Sequence, residues 1–281
     1  MILSAALAWV IAVQGQAGAF PANTVSPMIV AAGGNVAATS RLGAIPLNPA
    51  NAASARGVEL GMVSYQETEL QGASVLLASG RTVTLILGGW SFGVRNLIDK
   101  DLVEIDPSLA GLQASSLGVT SGVAFRHGAL GLGVLASYRA QSIVGIHSDA
   151  SSLSAGLRLD LHPLEIGASL IDLPIGSPDR NISPNRLAIT AVAANLPISG
   201  AVHARIEIDA YAPGARPSSA TFGASGTIRV GWLELRTGSS PLTGWGIGSA
   251  VTWQRWTLEA AAGLRSKGLP NQHLAISVGY R

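Results

Sequence analysis

The feature that most restricts this chain is a two-residue rhythm. From Val58 onward, segments of about eight to twelve residues alternate apolar with small or polar side chains, and turn residues separate them. Leu117, Val119, Val123 and Phe125 are interleaved with Gly118, Thr120, Gly122 and Arg126. Leu130, Leu132, Val134, Ala136 and Tyr138 oppose Gly131, Gly133, Ser137 and Arg139, and Leu153 to Leu161 alternate in the same way with Ser154, Gly156, Arg158 and Asp160. Val202, Ala204, Ile206 and Ile208 against His203, Arg205, Glu207 and Asp209 give one of the sharpest polar faces. Successive side chains of a strand point to opposite faces, so each segment is a strand with one greasy and one polar side.

Charge decides where the greasy side goes. Only 12% of the residues are charged, against about 25% in soluble domains, and Lys100 and Lys267 are the only lysines. A soluble all-β protein covers its wet faces and edge strands with charge, lysine above all. No stretch approaches the roughly 20 consecutive apolar residues of a membrane-spanning helix. Lipid offers the backbone no hydrogen-bond partner, which leaves a closed barrel as the spanning solution. The chain therefore reads as an all-β protein, a closed antiparallel transmembrane β-barrel of about fourteen strands. An aromatic content of 5% argues against it, because it leaves a thin interfacial girdle.

Strands are expected at 58–66, 71–78, 82–92, 115–126, 129–140, 151–161, 164–171, 186–194, 201–211, 220–229, 232–238, 244–253, 256–265 and 272–281. An even count puts both ends of the barrel chain on the periplasmic side. Short links near Gly80, His127-Gly128, His162-Pro163, Val230-Gly231 and Gln254-Arg255 alternate with longer ones at 93–114, 141–150, 172–185, 212–219 and 266–271. That is the pattern of periplasmic turns and outer loops, although the 195–200 turn is longer than it should be. Two-residue turns at 127–128, 162–163, 230–231 and 254–255 pair Phe125 with Leu130, Leu161 with Leu164, Ile228 with Leu233, and Trp253 with Trp256. Each places apolar opposite apolar.

Ahead of the barrel, 58–281, lie two other regions. Residues 1–19 read as an export signal: Met1 to Val13 are apolar apart from Ser4, and Ala17-Gly18-Ala19 is a small-x-small cleavage site. Residues 20–57 are rich in Ala, Gly, Asn and Pro without period-two alternation, and are expected to enter the barrel as a short N-terminal plug or to pack beneath it. Within them, Ser26-Pro27-Met28-Ile29-Val30-Ala31-Ala32-Gly33-Gly34-Asn35-Val36-Ala37 followed by Asn48-Pro49-Ala50 resembles the N-terminal signature of PorV/PorQ-type outer-membrane proteins. The resemblance makes Gly33, Gly34, Asn48, Pro49 and Ala50 the plug motif. It implies a fourteen-stranded relative of the FadL fatty-acid channel group. It also implies one of two roles: passage of hydrophobic solutes, or type IX protein secretion with delivery of exported cargo to the surface.

The inward phase of the strands carries Arg126, Arg139, Arg158, Asp160, Arg205, Glu207, Asp209, Arg229, Glu234, Arg236, Glu259 and Arg265. These are candidate lumen-lining residues. They either line a polar path or hold a plug, or they pair with one another across strands, since buried charges need partners. The five histidines lack metal-ligand spacing, and there is no cysteine. No metal or cofactor is expected. His147-Ser148-Asp149 has triad residue types, but neighbours in one segment do not form a relay, which needs convergence in space. With 18 basic and 16 acidic residues the basic excess is slight and has no basic patch behind it, so nucleic-acid binding gets no support.

The reading is thus a bacterial outer-membrane barrel and not an enzyme. Its partners are outer-membrane lipid together with hydrophobic small molecules, or with secretion-system components and exported cargo. Two alternatives stay open: a soluble secreted β-sandwich that binds a ligand, and an outer-membrane lipid hydrolase.

Overall fold

The computed structural model describes residues 26–32, 37–39, 41–65, 70–94, 113–143, 146–176, 186–214, 216–240, 244–264 and 272–281. The expected signal 1–19, Gly33, Gly34, Arg265 and most of the 93–114 and 172–185 loops lie outside these residues. Fourteen strands follow one another: β1 (Gly57–Tyr65), β2 (Leu70–Gly80), β3 (Val83–Val94), β4 (Ala114–His127), β5 (Leu130–Ile143), β6 (Ile146–Leu161) and β7 (Leu164–Pro174). Then come β8 (Leu187–Ser199), β9 (Val202–Pro213), β10 (Thr221–Val230), β11 (Leu233–Ser240), β12 (Gly244–Trp253), β13 (Trp256–Leu264) and β14 (Gln272–Tyr280). Each pairs antiparallel with its neighbours in sequence, and β1 pairs with β14 from Val58↔Tyr280 to Tyr65↔His273, so the sheet is a closed barrel.

Closure removes the β-sandwich alternative. A sandwich buries its greasy side chains between two layers, whereas here they face outward: Met62 is 69% exposed, Ile247 65%, Ile208 55% and Leu258 54%. A fourteen-stranded barrel wrapped in bare aliphatic side chains is an outer-membrane protein, its outer surface solvated by acyl chains. The girdle is thin but present. Trp232, Trp253, Trp256 and Tyr280 are exposed near the short-turn, periplasmic end, and Trp245 and Phe222 near the other.

Three expectations about the connections need correction. The 141–150 link is not a long loop, because β5 and β6 extend through Ile143↔Ile146. The 195–200 turn is short: β8 runs on to Ser199, with a register shift at Pro197, and only Gly200 and Ala201 join it to β9. A proline has no N–H for the ladder, and a bulge is where a strand tolerates that. Two hairpin registers are displaced by two residues, with Phe125 opposite Leu132 and Ile228 opposite Leu235. The cause is that Gly128 and Gly231, at φ of 57° and 59°, are the first residues of their two-residue turns and not the second. An even displacement leaves every side chain on its expected face. The pairs Leu161↔Leu164 and Trp253↔Trp256 stand as expected.

The outward face carries a direct test. Ile208→Arg places a charge near mid-strand on the lipid side and should lower stability by about 2–4 kcal/mol, whereas Trp232→Arg, within a turn, should cost roughly 0–1 kcal/mol. Urea unfolding in lipid vesicles measures both.

Candidate functional site: the lumen and its inner segment

The inward residues fall into two walls. On β2 to β5 the lining is mostly small and apolar, with Ala78, Ile86, Ala124 and Leu135 buried and Arg139, toward the outer end of β5, as the buried charge. On β6 to β13 it is charged, and two ion networks stand there. In the first, Arg236 pairs with Glu234 and, at 3.3 Å, with Glu259. Arg41, from the segment ahead of the barrel, joins it through Glu234 and, at 3.7 Å, Glu259. In the second, Arg158 reaches Glu165 at 3.1 Å and Asp160 at 3.8 Å, and Arg205 reaches Glu165 at 3.1 Å and Glu207 at 3.0 Å. Nearer the outer end, Arg139 lies 3.8 Å from Asp172, which occupies a bulge in β7 opposite Ser154. Charges turned away from bulk water persist when they are paired, and alternation turns these inward.

Residues 26–56 lie inside this lumen, as far as they are described. A helical turn, Pro27–Ala31, and two 3₁₀ turns, Leu42–Ala44 and Pro49–Ala53, are almost entirely buried. The apolar side of the segment, Leu42, Ile45, Ala52, Ala53 and Ala55, packs against the apolar wall. Its backbone polar groups go to the charged wall. Glu207 Oε1 accepts from the Ala38 N–H at 2.8 Å, Asp209 Oδ2 from the Ala37 N–H at 3.3 Å, and Arg205 Nη2 donates to the Ala38 carbonyl at 3.1 Å. Ser169 Oγ donates to the Leu47 carbonyl at 2.7 Å. Non-helical backbone at membrane depth requires such partners. Burial, and then the nearby Arg236 guanidinium, lower the pKa of Arg41, while Glu234 and Glu259 raise it.

Asn48 is the pivot of the segment. Fully buried, it caps the Pro49–Ala53 turn by accepting from the Ala50 N–H at 3.0 Å, and its Nδ2 donates to the carbonyls of Ala37 at 2.7 Å and Leu157 at 3.0 Å. One side chain therefore ties two turns of the segment to β6. The close fit depends on strand glycines. A Cβ on Gly156 would stand 1.9 Å from Asn48 Oδ1, one on Gly133 would stand 2.4 Å from the Pro49 carbonyl, and one on Gly246 would stand 1.7 Å from the Val30 carbonyl.

The residues expected to line the lumen are therefore in different situations. Arg139, Arg158, Asp160, Arg205, Glu207, Glu234, Arg236 and Glu259 are in ion pairs, and Asp209 holds a backbone N–H. Arg126 and Arg229 are exposed near the turns, where Arg126 bonds Ser54 Oγ at 3.0 Å and Arg229 bonds the Gly231 carbonyl at 3.1 Å. Glu59, Glu165 and Asp172 belong with them but were not in the expected set. Glu59 and Glu165 obey the same alternation, each flanked by outward aliphatic residues in β1 and β7. Arg41 had no local signal, since its partner Glu234 is 193 residues away.

Between the inner segment and the charged wall is a cavity of about 540 Å³, lined by Met28, Ala32, Thr39 and Arg41 on one side and by residues of β7 to β11 on the other. Exposed His162, His203 and Arg229 mark its mouth at the periplasmic rim. His147, Ser148 and Asp149 are consecutive in β6, so the serine points away from the other two and no relay forms. Among the described residues no group of three His, Asp or Glu side chains is placed to hold a metal ion.

No family model matches the sequence, and no curated protein matches it. Solved structures do share the fold. The toluene transporter TbuX of Ralstonia pickettii superposes with a TM-score of 0.57 at 12% identity, over 91% of this chain and 98% of that one. A deletion mutant of the monoaromatic hydrocarbon channel TodX gives 0.54 at 11% identity, over 90% and 96%. A Pseudomonas aeruginosa FadL homologue gives 0.51 at 9%, over 91% and 98%. At these identities the likeness is one of architecture: the chain has the fold of FadL-type outer-membrane barrels.

If Asn48 and Gly156 seat the inner segment, disturbing either should loosen it. Asn48→Ala removes a cap and two buried hydrogen bonds and should cost about 2–3 kcal/mol. Gly156→Val forces the segment away from β6. Both variants should raise ion conductance in planar bilayers while the barrel stays resistant to mild detergent, and unchanged conductance would contradict the seating described.

Proposed function

We propose that this barrel passes small hydrophobic solutes across the outer membrane, with residues 20–57 acting as its plug. The observation that carries this reading is the cavity of about 540 Å³ left beside the inner segment, open at the periplasmic rim. Its size is within the range of small-molecule sites. The outer half of the lumen supports an apolar solute, because Val63, Trp90, Ile171, Ile189 and Tyr211 are buried there with Phe92 and Leu187 packed against them. A solute entering from outside meets these apolar side chains and the Arg139–Asp172 pair before the two larger ion networks of the charged wall. TbuX is named a toluene transporter and TodX a monoaromatic hydrocarbon channel, which supports passage of an apolar solute.

The finer PorV/PorQ-type reading rests on Asn48-Pro49-Ala50, which forms a buried, capped turn. Service as a docking barrel for exported cargo would be favoured by a lumen that the inner segment fills. The cavity beside that segment favours solute passage instead.

Thr227 lines the cavity from β10, and Thr227→Trp should fill much of it. In cells lacking their own porins, the protein should speed uptake of a labelled monoaromatic hydrocarbon, and Thr227→Trp should return uptake to the rate of cells without the protein. Equal uptake with and without the protein would end the transport proposal.

A further inference from the structure

Four arginines follow one another along one side of the periplasmic rim, between Arg126 at the β4–β5 turn and Arg229 at the β10–β11 turn. Arg81 is in the β2–β3 turn, Arg56 precedes β1, Arg281 follows β14, and Arg255 is in the β12–β13 turn. These positions are neighbours around the barrel, and backbone contacts join them into one row. Arg56 Nη2 donates to the Arg81 carbonyl at 2.7 Å, and the Arg281 N–H donates to the Arg255 carbonyl at 2.9 Å. Gly57, beside Arg56, is packed so closely on β14 that a Cβ there would stand 3.1 Å from the Arg281 Cα. All four arginines are exposed.

Among the described residues none of the four is in an ion pair, and the nearest carboxylates of β1, β11 and β13 turn inward, Glu59 to Ser26 and Glu234 and Glu259 to Arg41 and Arg236. The tight turns Gly128-Ala129, His162-Pro163 and Gly200-Ala201 contain neither arginine nor lysine, and the two exposed arginines that flank the row, Arg126 and Arg229, are bonded to Ser54 Oγ and to the Gly231 carbonyl. Directly above Arg255 and Arg281, on the lipid face, stand Trp253, 68% exposed, Trp256, and Tyr280, whose ring meets that of Trp256 edge-on at 4.9 Å. Interfacial aromatics of this kind mark the depth of the phospholipid headgroups.

We propose that the Arg81–Arg56–Arg281–Arg255 arc is a binding site for anionic phospholipid of the inner leaflet, its guanidinium groups taking the phosphodiester while the acyl chains lie against Trp253, Trp256 and Tyr280. Guanidinium groups bind phosphate oxygens in pairs of parallel hydrogen bonds, and clustered basic residues at a membrane surface select anionic lipid. The aromatic belt decides between lipid and a soluble acidic protein, since it puts the arginines level with headgroups. The proposal is independent of which solute, if any, the lumen conducts.

Trp253 and Trp256 supply the readout. With the protein in phosphatidylcholine vesicles, brominated phosphatidylglycerol should quench their fluorescence at much lower mole fraction than brominated phosphatidylcholine. The triple variant R56Q/R81Q/R255Q should weaken that preference on the order of a hundredfold, and R56K/R81K/R255K should retain most of it. Should the glutamine variant fail to fold, the unaltered protein decides: the preference must fade as sodium chloride is raised. Soluble glycerol phosphate at matched concentration should not displace the lipid. Equal quenching by the two lipids, a preference indifferent to salt, full displacement by glycerol phosphate, or capture of an acidic protein by the arginines without lipid selectivity would each overturn the assignment.

Discussion

Every backbone N–H and C=O that enters the acyl region must find its partner within the protein, and the pairing of β1 with β14 is where this sheet meets that requirement. An open edge in hydrocarbon would leave a row of unpaired groups, each costing several kcal/mol. Once the sheet is closed, the two-residue period assigns every side chain to lipid or lumen without further choice. The low charge and the absence of long apolar runs are consequences of that division. The outward half of each strand is greasy, and the inward half is free to be small or charged.

The lumen then has its own problem. Charges forced inward by alternation must be paired, and a segment of irregular backbone inside the barrel must have its polar groups satisfied. The structure meets both needs with the same residues. Glu207 pairs with Arg205 and accepts the Ala38 N–H, while Arg205 bonds both the Ala38 carbonyl and Glu165. Arg41 reverses the direction, carrying a charge from the segment into the wall. Strand glycines such as Gly246 complete the fit by admitting backbone where any side chain would clash.

How far this was legible in the sequence follows from which signals are local. Alternation is local, and it found all fourteen strands and the inward faces of β6, β9, β11 and β13. It was less informative where both faces are polar: His147-Ser148-Asp149 in β6 shows no greasy side and reads as loop, although it is strand. Isolated inward acids such as Glu59 and Glu165 follow the rule but are inconspicuous among small residues. Contacts between distant segments leave no such trace. Nothing near Arg41 points to Glu234, and Gly246 looks like any small strand residue until the Val30 carbonyl is placed against it.

The closure of the sheet admits one direct measurement. The chain has no cysteine, so a pair can be introduced at Leu60 and Val278, which face each other across β1 and β14, with a second pair at Met62 and Ile276. In outer membranes the native, unboiled protein should cross-link within each pair on mild oxidation, whereas Leu60 with Ile247 should not. Protein that inserts and binds detergent normally, yet never cross-links between its first and last strands, would contradict the closed barrel on which the rest is built.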